Sequence, residues 1–600
     1  MGYLRRYWKS YRWMFLLSVA CVTMEAVCDL MQPKAMSRLI DEGAMGGDLG
    51  IVAGQGVRML LIACAGAAFA FARSVISSDV SQKFGSRLRL DLFERIMSLS
   101  AYDIDRFDGG SLVTRETSDV GQVQNMVNGL MRIFFKAPVM CVGAIVMAAT
   151  LDLKSVPIIV PAVCLVMGVV TVSMRLAYPR FLRIQKAIDA MNTAMREYLA
   201  GIRLVKAFRR FRDEEARFRG VNDALAESSV KANNVLVICT PFMALFVNLA
   251  TSLLIMFGAR WVDAGDLRVG QVMAFITYMA QMLMSLNMLS NVFNMLVRVK
   301  ASNERISEVM EMGGGPGAVA GDSTAGRGHE GAEARTPARI GSAEARTPAR
   351  AAAGAEPHVR MEGVSFRYRG STGMDALTGI SLAIRPGGSM GVIGPTGSGK
   401  STLAYLMLRF YDVTGGRISV FGEDIGDLPV GEWRGRIAYV PQRPTLFTGT
   451  IRENVLWGRE GATDAEVMDA LTQAQADDFV MASPMGLDTP IGQGGVNLSG
   501  GQRQRISIAR ALVRDPELII LDDCMSALDV ITERDMREAL RAHDFTCVTI
   551  SQRISSVRQC DDVLVLDGGA MVGFGPHEAL LGDCGGYRDI YRSQIGEAVP

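Results

Sequence analysis

The sequence predicts a multidomain fold, in which a membrane domain of six α-helices precedes a soluble α/β domain. Three observations predict it. Six apolar segments of about 20 residues crowd the first half, a stretch poor in large apolar residues follows, and beyond it short Val, Ile and Leu runs alternate with helical patterns. The domains expected are 1–312 for the membrane part, 313–357 for a flexible linker and 358–600 for the soluble part.

The apolar segments cover residues 13–33, 57–76, 127–150, 156–176, 234–258 and 270–297. Arg5, Arg6, Lys9 and Arg12 precede the first one and no small-residue cleavage site closes it, so it reads as a retained anchor with a cytoplasmic N-terminus. The stretches after the second and fourth segments are long, helical in pattern and basic. Lys83, Arg87, Arg89, Arg95 and Arg106 lie in one, and Lys206, Arg209, Arg210, Arg212 and Arg217 in the other. Both are expected inside the cell, with the short odd-numbered connections outside. The chain is thus expected in the plasma membrane as a multi-pass protein, with both termini and the soluble domain cytoplasmic.

Polar groups within the spans are costly and so count as site candidates. Glu25 and Asp29, at i and i+4 in the first span, either attract a cationic solute or pair with Lys or Arg on another helix. Met284, Asn287, Asn291, Asn294 and Arg298 share one face of the sixth span, which suits interhelix hydrogen bonding or the lining of a solute path.

With 63 Lys plus Arg against 62 Asp plus Glu, the net charge of +1 gives no basic field, and nucleic acid is excluded as a partner. The 10 Cys are scattered, without metal-ligand spacing; Cys21, Cys28, Cys64, Cys141, Cys164 and Cys239 fall in apolar runs and read as reduced, buried residues. The linker repeats the octet AEARTPAR at 332–339 and 343–350 and is too poor in apolar residues to fold by burial.

The chemistry concentrates in the soluble domain. Gly394, Pro395, Thr396, Gly397, Ser398, Gly399, Lys400 and Ser401, followed by Thr402, connect the apolar run SMGVI to a helical stretch. Glycines there let backbone N–H groups close around phosphate oxygens, Lys400 reaches the β and γ phosphates, and Ser401 ligates Mg²⁺. A second apolar run, Leu518 to Leu521, ends in Asp522, placed to hold Mg²⁺ through water. The soluble part is therefore expected to be an α/β P-loop nucleotide-binding domain that takes ATP and Mg²⁺.

Between these two motifs stands Leu498-Ser499-Gly500-Gly501-Gln502, and with it the whole chain resembles the ATP-binding cassette (ABC) family, specifically half-transporters of the exporter type. The closest likeness is to subunits of bacterial heterodimeric multidrug exporters. The resemblance implies that Tyr368 stacks on adenine, with Phe366 as the alternative, that Gln442 touches Mg²⁺, and that Asp529 lies in the loop that crosses to a partner cassette. It also implies that Ser499, Gly500, Gly501 and Gln502 contact ATP held by the partner, and that turns near 101–107 and 201–208 dock on the cassettes through Ile104, Phe107, Leu204 and Phe208.

Two positions depart from the family's pattern. Asp523 stands where the family usually has Glu, and Gln552 where it usually has His. Asp is one methylene shorter, and a misplacement on the order of 1 Å costs about 10²-fold in rate. Gln cannot carry the charge available to His. The expectation is an ATPase-coupled transporter, assembled with a second, non-identical half-transporter, whose own ATP site is degenerate while its signature serves the partner. Its solutes are expected to be drugs, lipids or other amphipathic molecules. The alternatives are a siderophore-type importer of the same architecture, or a membrane-anchored regulatory ATPase or ATP-gated channel subunit.

Overall fold

The computed structural model describes residues 2–312, 356–369, 371, 373 and 375–596, without the side chains of 2–6, 8–10, 155, 236, 240, 287, 289–294 and 296–298. The expected linker lies outside the described residues except for 356 and 357, and so do the side chains of Asn287, Asn291, Asn294 and Arg298. The chain divides into two compact units, residues 1–95 with 109–311 and residues 96–108 with 312–600.

The first unit is helical throughout, and six of its helical runs are long and apolar enough to cross a membrane. They extend far past the apolar segments. Leu49–Ser98 has 50 residues, Val156–Ala200 has 45 and Phe211–Asp263 has 53; at 1.5 Å per residue a 50-residue helix is about 75 Å long, against ~30 Å of hydrocarbon. The charged stretches are continuations of the spanning helices, and short bends at 45–48 and 264–268 join neighbours at the opposite ends.

Pro33, Pro161, Pro179 and Pro241 sit inside these helices; at Pro33 the carbonyl freed four residues earlier, Asp29 O, accepts from Gln281 Nε2 of the sixth run at 3.2 Å. The third run is interrupted by π-helical turns at Arg115–Asp119 and Leu130–Phe134.

Small residues set the helix contacts, because backbones must approach closely where lipid supplies no hydrophobic drive. Ala26, Ala144, Ala148 and Ala250 are buried in one cluster with Leu254, Phe275 and Met279. A Cβ at Gly143 would lie 2.3 Å from Leu30 Cδ1, so any larger residue there obliges the Leu30 side chain to shift. Tyr278, fully buried, donates its hydroxyl to Leu30 O at 2.9 Å. Nearer the charged ends, Arg305 forks onto the buried Asp119, while Arg115 donates to Arg305 O at 2.8 Å and pairs with Glu308.

The acidic pair of the first span is neutralised within the protein. Glu25 accepts from Arg73 Nε at 2.7 Å and from Lys136 Nζ at 2.6 Å, and Lys136 also reaches Asp29 at 3.0 Å. Of the two readings of these carboxylates, pairing with cations on other helices is the one the structure displays.

The second unit contains a ten-stranded sheet. In chain order the strands are β1 (Val359–Phe366), β2 (Leu377–Ile384), β3 (Ser389–Ile393), β4 (Gly415–Val420), β5 (Glu423–Asp424) and β6 (Ile437–Val440). A separate short ribbon pairs β7 (Gly449–Thr450) with β8 (Pro490–Ile491), and the sheet resumes with β9 (Leu518–Asp522), β10 (Thr546–Ile550), β11 (Asp562–Asp567) and β12 (Ala570–Gly575). The order is β5-β4-β1-β2-β12-β11-β3-β10-β9-β6, parallel from β11 to β6 and antiparallel from β5 to β2.

The parallel strands are buried on both faces, which is why β3 and β9 read as continuous apolar runs rather than alternations. One face packs Leu403, Leu406, Met407 and Trp433; the other packs Ile506, Ile508 and Leu512 of the helix Gly500–Leu512.

This unit also contains the short helix Ala101–Ile104, capped by Ser100. Tyr102 is its anchor. The Tyr102 ring meets Tyr411 edge-on at 4.7 Å between centroids and Phe366 at 6.4 Å, the Arg369 guanidinium lies 4.9 Å over its centroid, and Tyr411 donates its hydroxyl to Asp105. Burial, reinforced by the Asp105 carboxylate, pushes the Tyr411 phenol well above its usual range.

Of the residues expected to dock this turn, Ile104 is 41% exposed in the single chain, because the four-residue helix turns its i+1 residue, Tyr102, rather than its i+3 toward the aromatic cluster. Leu204 and Phe208 of the second turn are 62% and 70% exposed.

Losing an aromatic pair forfeits about 0.5–1.5 kcal/mol beyond buried area. Tyr102→Ala is therefore expected to speed amide exchange across residues 96–108 several-fold, whereas Ile104→Ala leaves it unchanged; hydrogen-exchange mass spectrometry reads both.

Candidate functional site

Three parallel strands end on one level and bring the site together. Ile550 pairs with Val392 of β3 and with Asp522 of β9, so the loops leaving β3, β9 and β10 emerge side by side. Such a rim, at the carboxyl ends of parallel strands, is where α/β sheets bind ligands.

The loop leaving β3 is a glycine-built cradle. Gly397 and Gly399 have φ of +86° and +95°, which suit glycine and strain other residues. A Cβ at Gly394 would lie 2.0 Å from Leu566 O and one at Gly399 would lie 2.6 Å from Ala376 O. Gly399 caps the helix Lys400–Met407, whose free N–H groups and dipole favour an anion at that end. Lys400 is buried and donates to Gly394 O at 2.9 Å and Pro395 O at 2.7 Å, threading back under Ser398. Burial holds its ammonium below the usual lysine range, opposed by Asp523 and Asp522.

Asp522, also buried, accepts from Ser401 Oγ at 3.3 Å and Tyr439 OH at 3.3 Å. Burial raises its carboxyl above the usual range, and the two hydroxyl donors oppose the rise. Gln442 stands across from it and donates Nε2 to Asp523 Oδ2 at 3.2 Å. These residues suit the groups expected of them. A cradle where a Cβ would collide, a lysine beneath it and a helix N-terminus fit a nucleotide's phosphates, and the oxygen donors of Ser401, Asp522 and Gln442 fit a hard divalent cation such as Mg²⁺.

Tyr368 is half-buried, bonds Thr402 Oγ1 through its hydroxyl at 3.1 Å, and packs edge-on against Phe366 and Tyr411. Phe366 is fully buried in the core, so the alternative aromatic has no free face.

Asp523 adopts φ +46°, uncommon for a non-glycine residue, while its N–H donates to Ile550 O at 2.8 Å. Burial raises its carboxyl above the ordinary range, resisted by Gln442, Arg553 and Lys400. The neighbouring Gln552 is exposed.

Ser499 to Gln502 form a separate element. Ser499 Oγ accepts from Gln502 N at 3.2 Å and Gln502 Oε1 accepts from Ser499 N at 2.9 Å, a capping box that starts the helix Gly500–Leu512. Ser499 and Gly500 are exposed, and no side chain crowds Gly500. Asp529 caps the next helix, accepting from Thr532 N at 3.0 Å and Thr532 Oγ1 at 2.7 Å, and these donors hold its carboxyl below the usual range.

One positioning residue escaped the sequence reading. Gln594, on the helix Gly585–Ile595, donates Nε2 to Gln552 O at 2.7 Å and accepts at Oε1 from Ile554 N at 2.8 Å, bracketing the loop after β10. Its partners lie 42 and 40 residues away, and no local pattern connects them.

This architecture agrees with known proteins. Residues 15–286 match the family described as ABC transporter transmembrane region, and residues 377–526 match the one described as ABC transporter. An uncharacterized ABC transporter ATP-binding protein, YfiB of Bacillus subtilis, is 35% identical over 97% of this chain and 96% of its own length. The ATP-dependent lipid A-core flippase of Chromobacterium violaceum is 30% identical over 100% of this chain and 97% of its own. Among solved structures, a bacterial Atm1-family ABC exporter with ATP bound superposes with a TM-score of 0.79 at 26% identity, over 98% of this chain and 100% of that one. The chain belongs to the ABC transporter family, as an exporter-type half-transporter whose six apolar helices precede an ATP-binding domain.

The bracketing glutamine makes a local prediction. Each neutral hydrogen bond contributes about 1 kcal/mol, so Gln594→Leu removes roughly tenfold or more of protection when both go. Exchange at the Ile554 amide is expected to accelerate by that factor, while Gln594→Glu, which keeps the acceptor for Ile554 N–H but loses the donor to Gln552 O, restores only part of it.

Proposed function

We propose that this chain is the degenerate-site subunit of a heterodimeric ATP-driven exporter of amphipathic solutes. Its own phosphate loop, residues 394–402, holds ATP with Mg²⁺ at Ser401, Gln442 and Asp522, and Tyr368 stacks on the adenine. Its Ser499, Gly500, Gly501 and Gln502 complete the competent site on a different half-transporter that supplies the missing Glu and His. The residues 313–357 tether the two domains, and the ATP-binding domain works on the cytoplasmic side of the plasma membrane.

The observation that carries this reading is selective departure. Asp523 and Gln552 change the groups that act on the attacking water, whereas Lys400, Ser401, Asp522 and the capping box of Ser499 and Gln502 remain whole. Supporting it, Asp523 is one methylene shorter than Glu and its carboxylate is engaged by Gln442 Nε2 at 3.2 Å. The amphipathic solute class draws on the likeness to a lipid A-core flippase.

In a complex whose partner has its catalytic Glu replaced by Gln, only this chain's loop can turn over. Installing Asp523→Glu with Gln552→His is then expected to raise single-turnover hydrolysis by about 10²-fold. Fast hydrolysis before the two substitutions would sink the degenerate assignment. Lys400→Ala is expected to weaken nucleotide binding at this loop on the order of tenfold or more, since it deletes a charged hydrogen-bond donor; filter binding of labelled ATP measures it.

A further inference from the structure

Within the first unit a cavity of about 490 Å³, in the size range of small-molecule sites, opens between helices of the second, third and sixth runs. Its polar lining is cationic. Arg73, Arg132 and Lys136 line it together with Asn128, and Met288 and Met295 add apolar surface.

The charges there do not cancel. Arg73 and Lys136 share Glu25, and Lys136 reaches Asp29, so two carboxylates face three cations. Arg132 has no carboxylate partner among the described residues, and only Nε of Arg73 is engaged there, at 2.7 Å from Glu25. The Asn128 Oδ1 is buried without a hydrogen-bond partner, so the amide also leaves polar capacity unused.

A surplus cation inside a spanning segment is expensive and marks function by default. Arg132 sits within the π-helical turn Leu130–Phe134, and such turns concentrate at functional sites because they re-aim side chains. In the same lining, flexible thioethers accommodate varied apolar shapes; Met295 closes so tightly on Gly129 that a Cβ there would lie 2.5 Å from its sulfur.

We infer that this cavity is a solute subsite for anionic amphiphiles, with a carboxylate, sulfonate or phosphate headgroup taken by Arg132 and Arg73 and an apolar body laid against Met288 and Met295. The inference rests on the transport reading above and narrows its solute class. It reverses the attraction of cations that Glu25 and Asp29 suggest in the sequence, because their charge is spent on Arg73 and Lys136. Arg guanidinium forks suit such headgroups.

The test uses the full chain co-purified with its partner half-transporter in nanodiscs of zwitterionic lipid. Photoactivatable hexadecanoate and photoactivatable hexadecyltrimethylammonium are compared, with labelled peptides identified by mass spectrometry. Saturable hexadecanoate labelling of the 125–136 and 288–295 segments is expected, with the ammonium probe excluded. Losing one charged donor costs roughly tenfold in affinity, so Arg132→Gln is expected to raise the half-saturating concentration about that much, and Arg132→Lys to recover most of the loss.

If phosphatidylglycerol in the disc competes the label away, the anion comes from the bilayer; if it does not, the solute is a free amphiphile. Equal labelling by the ammonium probe, or an Arg132→Gln affinity equal to that of the unaltered protein, overturns the proposal. ATP hydrolysis by the unaltered complex is measured in the same discs. Hydrolysis without anion labelling removes this inference alone, and labelling without hydrolysis removes the transport reading while the anion site stands.

Discussion

The register of β10 against β3 on one side and β9 on the other is the constraint on which the rest depends. Pairing Ile550 with both Val392 and Asp522 places the phosphate cradle, the two consecutive aspartates and the switch loop at one rim. The Ser551 N–H donates to Val392 O at 3.0 Å and the Asp523 N–H to Ile550 O at 2.8 Å, so the pairing continues past the strand ends into the site itself. A slip by one residue would turn Asp522 away from Ser401, since side chains alternate faces along a strand. The strands are buried on both faces, which makes such a slip costly.

From that rim the proposed asymmetry acquires a physical sense. Binding phosphate needs backbone N–H groups, a helix terminus and one lysine, all fixed by β3 and its loop, and these are complete. Activating water needs a carboxylate of the right reach and a switch residue able to carry charge, and under the proposed function these are the positions occupied by Asp523 and Gln552. The two requirements are carried by different strands, so one can change without the other. Gln594 shows that the switch loop is nonetheless held in place, by two hydrogen bonds from a distant helix.

Much was legible in the sequence because its causes are local. Hydropathy marks the six spans, since only apolar length satisfies a bilayer, and strands β3, β6 and β9 appear as short apolar runs because both their faces are covered. The cradle was legible because glycine at Gly394, Gly397 and Gly399 answers a steric demand within eight residues. What was not legible is what distance decides. Tyr102 finds Phe366 and Tyr411 some 264 and 309 positions later, Glu25 finds Arg73 and Lys136 on other helices, and Gln594 reaches back to Gln552. Periodicity names a face and leaves its partner unnamed. The full length of the helices was likewise hidden, since charged turns such as those after residue 76 continue a helix as readily as they end a span.

The membrane unit follows the same logic of unequal shares. Its buried carboxylates Glu25 and Asp119 are matched by cations, and Arg132, without a carboxylate partner among the described residues, lies in a π-helical turn beside a cavity that Met288 and Met295 also line. The most direct measurement of the asymmetry that joins these parts is vanadate trapping of photoreactive ATP in the co-purified complex, followed by separation of the two chains. The account predicts trapped ADP on the partner's phosphate loop, with this chain retaining unhydrolysed ATP. Equal trapping on both chains, or trapping in a complex containing this chain alone, would contradict it.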